Sequence, residues 1–217
     1  MMTSLFSSFD PASSILQMNW MMMMSSTIIM PMNFWMKKSR WNFIKKKLEM
    51  KLMSEFSVTT HHKEMMILSM SMFMIIMTNN IMGLFPYNFT STSHIAMSTS
   101  MAMPMWIMMM IYGWTKFTNK MFIHLLPTGT PYAIVPMMVI IETIGNVIRP
   151  ISLSVRLTAN MIAGHLLMTL LGNMNEMSIL IATLPMQIVL MMFESAISMI
   201  QAYVFSTLIT LYSSDIP

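Results

Sequence analysis

The run MMVIIETIGNVIRPISLSVRLTANMIAGHLLMTLLG, residues 137–172, is apolar almost throughout, yet it carries Glu142, Arg149 and Arg156. A second apolar run covers residues 177–212, and the two are joined through the polar GNMNE at 172–176. As helices rising 1.5 Å per residue, each reaches ~54 Å, well beyond the ~30 Å hydrocarbon layer of a bilayer. Such helices must tilt strongly or bend, and Pro150 and Pro185 are placed for bending.

The rest of the chain agrees with a membrane setting. Of 217 residues 55% are hydrophobic and 9% charged, with mean hydropathy +0.63, whereas a soluble domain averages about 25% charged. A first span is expected over 14–34, opened by Asp10-Pro11, and a second and third over 64–86 and 94–113 with Ser93 as the cap of the third. Between the first two lies MKKSRWNFIKKKLEMKL, where Trp41, Phe43, Ile44 and Leu48 interleave with lysines. That pattern predicts a surface-lying amphipathic helix over 36–60. The prolines of HLLPTGTPYAIVP exclude a regular helix ahead of the first long run. The expectation is therefore one all-α membrane domain, residues 1–217, of about five embedded helices and one surface helix, the last two helices long and strongly tilted.

Charge sets orientation. The formal charge is +4, but eight of the twelve Lys and Arg fall within 37–63, and Lys116 and Lys120 mark another loop on the same side. By the positive-inside rule that side retains positive charge, and the amino terminus faces the other.

Several function classes drop out. There are no cysteines, so disulfide frameworks, iron–sulfur clusters and thiolate zinc sites are excluded. His61-His62 lacks a third ligand at metal spacing, and no phosphate-cradling glycine motif occurs. Neither a cofactor nor a nucleic-acid partner is expected. The 37 methionines spread over every apolar segment, as lipid-facing substitutes for Ile and Leu. The Asn88-Phe89-Thr90 glycosylation triplet is too common a match to carry weight.

The polar residues of the long runs are periodic. Glu142, Arg149 and Arg156 are spaced by seven, as are Gln187, Glu194 and Gln201. Seven residues make nearly two turns, so each set lines one helix face in steps of ~10.5 Å. Ala159, Asn160, Ala163 and Gly164 follow Arg156 at small-residue spacing, which lets another helix approach closely. An isolated arginine at the membrane centre costs ~2.5–3.5 kcal/mol on insertion scales, so it points to function or to a paired acid. That acid is Glu142, Glu194 or one from a partner protein. His165 lies about 180° around the helix from Arg156, either as a hydrogen-bonded interior histidine or as a proton carrier served by Glu194. Polar groups at staggered depths suggest a wet proton path. A secondary transporter or ion channel with a mid-membrane arginine site, and a purely structural membrane subunit, are the alternatives; a transporter would be expected to show paired repeats, and none is detectable.

The segments IRPISLSVRLTANMIAGHLL, ESAISMIQAYVFSTLITLYSS, NNIMGLFPYNFTSTSH and LFSSFDP closely resemble the subunit a family of mitochondrial F-type ATP synthases, ATPase subunit 6. The resemblance touches most of the chain, with departures at 41–65 and at TPYAIVP. It implies a stator subunit of the membrane-embedded Fo sector, not an enzyme by itself, that offers two proton half-channels to a rotating c-ring. Arg156 then matches the essential arginine facing the ring carboxylate. Gln201 and Asn160 match polar residues of the path, and His165, Glu194 and Glu142 match the inlet. Implied partners are the c-ring, other Fo and peripheral-stalk subunits, and inner-membrane lipid including cardiolipin. The implied location is the mitochondrial inner membrane, amino terminus toward the intermembrane space. The methionine content fits an organelle-encoded member in which AUA specifies Met, so that no import signal is needed.

Overall fold

A computed structural model describes residues 5–12, 17–24, 27, 39–60, 63–85, 88–126, 131–173 and 180–214. Among the described residues six α-helices follow one another: α1 Arg40–Thr59, α2 Lys63–Gly83, α3 Ile95–Lys116, α4 Thr118–His124, α5 Val135–Asn173 and α6 Leu180–Ser214. Three short 3-10 segments, Leu5–Phe9, Met18–Met24 and Ser91–Ser93, complete the described elements, which include no strand. Most of the expected first span, 14–34, and the pair at 61–62 lie outside the described residues.

Among the described residues four helices are long and apolar enough to cross a bilayer, α5 and α6 among them at 39 and 35 residues. Pro150 and Pro185 are both inside their helices. Only 17% of the most apolar window of α5 and 22% of that of α6 is buried within the chain. Ile140, Ile144, Val147 and Ile151 on α5 and Ile188, Met192 and Phe193 on α6 are exposed, so these faces must meet lipid or another subunit.

Inside the bundle α2 packs on α6, α3 on α5, and α5 on α6. Phe73, Ile76, Met105, Met109, Leu157 and Phe205 belong to the shared core. Small hydroxyl residues line the same contacts. Ser154, Ser198 and Thr158 are buried, and each returns its hydroxyl to a carbonyl of its own helix, Ser154 to Ile151 at 2.8 Å and Ser198 to Ser195 at 2.8 Å. A hydroxyl satisfied this way can sit at a close helix contact without needing water.

Helix α1 lies against α2 and α6. Ser39 caps its start by accepting from the Asn42 N–H, and Phe56, 1% exposed, anchors its end. Tyr203 of α6 donates to Glu55 at 3.1 Å. Its outer surface carries Arg40, Lys46, Lys47 and Lys51 beside exposed Trp41, Ile44 and Leu48, the interleaved composition of an interfacial helix. Phe56→Ala is expected to loosen α1 from the bundle and speed proteolysis within 40–60 by about an order of magnitude or more, because the phenyl ring is its one fully buried anchor.

At the opposite end, one local expectation is corrected. Ser93 does not cap α3; its hydroxyl donates to the Thr90 carbonyl at 2.7 Å within the 3-10 turn, and His94 takes the N-cap position. Asn88 of the glycosylation triplet donates to the Met82 carbonyl at 3.2 Å, closing the same loop.

Candidate functional site

The two polar lines of α5 and α6 diverge in environment. Arg156, Ala159, Asn160 and Ala163 are on the exposed side of α5, whereas Glu194 and Gln201 are buried. Among the described residues no hydrogen bond or ion pair reaches the Arg156 guanidinium. Glu142 instead pairs with Arg149, at 3.7 Å, and the Arg149 guanidinium also lies 5.0 Å over the ring of Tyr212. The internal ion pair left open for Arg156 is therefore not formed, with either Glu142 or Glu194. Its charge faces outward, where a carboxylate on another subunit can approach.

One turn along α5, Asn160 donates from Nδ2 to Oε1 of Gln201 at 3.2 Å. The sequence marked both residues; only the packing of α5 on α6 makes them partners. Gln201 Nε2 remains enclosed without a protein partner among the described residues.

Glu194 sits directly on Gly164. A Cβ at position 164 would lie 2.9 Å from Glu194 Cδ and 3.1 Å from its Oε1. A distance under 3.0 Å is closer than carbon atoms tolerate, so the absent side chain is what admits the carboxylate between α5 and α6. Gly164 had been grouped with the small face of Arg156, and its spacing held no hint of this second role. Gly83 is similarly tight, where a Cβ would meet Thr90 Cγ2 at 3.1 Å and Met161 Cε at 3.4 Å.

His165 and Glu194 line two adjoining cavities. The larger, about 610 Å³, is bounded by the amino-terminal residues Ser7, Ser8, Asp10 and Asn19, by Leu84, Phe85 and Phe89, and by Thr169. The smaller, about 150 Å³, shares Leu84, His165 and Glu194 with it and continues to Gly164 and Asn160. Glu142 lines neither. Polar atoms enclosed without a partner among the described residues, Glu194 Oε1, His165 Nε2 and Ser8 Oγ, border this route. Buried polar atoms are rarely left unpaired, and a space of this size, with these polar groups set in an otherwise largely apolar lining, is roomy enough for several waters.

The cavity occupies one end of the bundle. Its Leu84 and Phe85 wall follows the carboxyl end of α2, whose amino end carries Lys63, so the cavity lies opposite the basic segment ending at Lys63. The amino-terminal wall was the part sequence reading missed. Phe9 stands edge-on to His165, ring centroids 6.2 Å apart, and its carbonyl accepts from His94 Nε2 at 3.1 Å. No metal-binding group of three His, Asp or Glu occurs among the described residues.

Compared with known proteins, residues 12–214 match the family model described as ATP synthase A chain. Proteins named ATP synthase subunit a are similar over their full length: 48% identical in Drosophila mauritiana over 223 residues, 47% in Anopheles quadrimaculatus over 225 and 48% in Locusta migratoria over 224, with 100% of both chains covered in each case.

Proposed function

The chain belongs to the ATP synthase A chain family, the proton-translocating stator subunit of the Fo sector, and on that premise we propose how its own residues carry the protons. It works within the Fo complex beside the c-ring and is not catalytic by itself. The two adjoining cavities are the inlet half-channel. Protons pass the amino-terminal wall, reach His165 and Glu194, and continue beside Asn160 to the outward face of Arg156. The observation that carries this reading is the shared lining: His165 and Glu194 border both cavities, and the smaller one reaches Asn160, one turn from the arginine.

At that face a ring carboxylate takes up the proton. Only its neutral form can enter lipid, because an unpaired charge in hydrocarbon is strongly disfavoured. After the ring turns, the carboxylate returns toward Arg156, whose permanent positive charge favours the ionised form and hence release. An arginine does not give up its own proton in a protein, so Arg156 also separates the two aqueous paths.

The outlet lies on the other side of Arg156. Glu142 belongs there and not to the inlet, where the family resemblance had grouped it: helix rise puts it ~21 Å from Arg156 in the direction away from His165. Its pairing with Arg149 keeps a charged, hydratable pair at the basic end. Apart from Arg149 and Arg156, every Lys and Arg lies within 37–63 or at 116 and 120. That end faces the matrix and the cavity mouth faces the intermembrane space of the mitochondrial inner membrane. The transporter alternative gains no support, since the sequence carries no detectable paired repeats beside the arginine.

Glu194→Gln in the assembled complex is expected to slow passive proton conduction by about a hundredfold, the lower end of what one positioned acid–base group contributes, with the subunit still incorporated. Unchanged conduction would remove Glu194 from the path. On α1, the outer Arg40, Lys46, Lys47 and Lys51 suit anionic headgroups such as cardiolipin. Replacing these four by Gln should reduce anionic lipid retained by the detergent-purified complex, and equal retention would count against that contact. Peripheral-stalk and other Fo subunits are assigned to the remaining exposed apolar faces.

A further inference from the structure

His165 must be held in a defined orientation to pass protons, yet it has no hydrogen-bond partner among the described residues. Packing has to orient it, and an aromatic neighbour does so from far away in the chain. The ring of Phe9 meets the imidazole at an interplanar angle of 88°, the edge-on arrangement favoured by aromatic quadrupoles. Phe9 belongs to the short Leu5–Phe9 turn, which has little buried surface of its own and needs an anchor. That anchor is His94, whose Nε2 donates to the Phe9 carbonyl at 3.1 Å. Trp20 and Phe89 clamp the His94 ring, with centroids at 5.2 and 5.4 Å, and lie 5.6 Å from each other.

We propose that Phe9 is a positioning residue for His165 and that His94 latches it there, so that residues 5–12 form a fixed outer wall of the inlet. This rests on reading the cavity as the inlet. The latch does not depend on the charge of His94. Nε2 donates in one neutral tautomer and in the imidazolium form alike, and a glutamine amide could make the same bond. The wall also explains why the amino-terminal segment is polar on its cavity side: Ser7, Ser8 and Asp10 border the route that protons enter by.

The chain's lack of cysteine allows a test independent of activity. Ser8→Cys places a thiol at an enclosed position of the wall, and its labelling rate by a membrane-impermeant maleimide is measured in the assembled complex. Adding His94→Ala should raise that rate about threefold to tenfold, the weight of one hydrogen bond, and slow passive proton conduction. His94→Gln should restore both. Phe9→Leu keeps the backbone carbonyl and most of the bulk, so labelling should stay within about twofold while conduction falls. Equal labelling with His94 and His94→Ala, or failure of His94→Gln to differ from His94→Ala, would overturn the latch. Undiminished conduction in Phe9→Leu would overturn the positioning role, and it decides that point even where His94→Ala prevents assembly. If Glu194→Gln also conducts normally, the reading of the cavity as the inlet fails with it; normal conduction in Phe9→Leu alone leaves that reading standing.

Discussion

Arg156→Ala is expected to abolish proton-driven ATP synthesis in the assembled complex, lowering it by on the order of a hundredfold or more. Removing a preorganised charge from a low-dielectric site commonly costs that much. Arg156 has no internal partner among the described residues, so the substitution strands no carboxylate of its own subunit. Incorporation of the subunit should therefore be close to normal. What is lost is the cation that draws the ring carboxylate into its ionised form and keeps the half-channels apart. Passive proton leak that bypasses rotation should rise at the same time. Arg156→Lys is expected to retain only a small part of the coupled rate, because an ammonium is a compact point charge that can deprotonate where a guanidinium does not. Coupled synthesis that survives Arg156→Ala would refute the mechanism outright.

Gly164→Leu should be nearly as severe, and for a steric reason. Even the Cβ alone would come within 2.9 Å of Glu194 Cδ, so the carboxylate must leave its seat and the leucine body obstructs the cavity that leads to Asn160. Overpacking of this kind typically destabilises by about 1–3 kcal/mol, which bundle contacts elsewhere can absorb. Conduction per assembled complex is expected to fall to the level of an inhibited enzyme. Gly164→Ala, where only the clash with a movable side chain arises, should lie between the two. A Gly164→Leu complex that conducts normally would show that protons do not pass between α5 and α6 at this depth.

Much of the architecture was readable from the chain alone. Hydropathy and length make α5 and α6 membrane helices, and no packing detail is needed to see that 39 and 35 residues exceed a perpendicular crossing. The interleaved basic and aromatic residues of α1 predicted a surface helix. The seven-residue spacings put Arg156 and Glu194 on defined faces, and the family resemblance assigned them parts in proton transfer.

Spacing within one helix says nothing, however, about which face its neighbour covers. That is why the open question of the Arg156 partner could be decided only by the fold: Glu142 turns to Arg149, and Glu194 turns to the gap over Gly164. It is also why spacing alone places Gly164 only on the small face of the arginine, whereas in the fold it is the floor under the carboxylate. Phe9 and His94, 85 residues apart, carry no local signal of their contact with each other or with His165.

The sequence by itself determined the class of protein, its two long final helices, the clustering of its basic residues and the polar residues, because hydrophobic periodicity and charge are properties of each segment taken alone. Only the tertiary structure decided that Arg156 faces out, that Asn160 meets Gln201, and that His165 and Glu194 share one cavity walled by the amino terminus. Those are relations between segments, set by which small residues let two helices approach, and no segment records them.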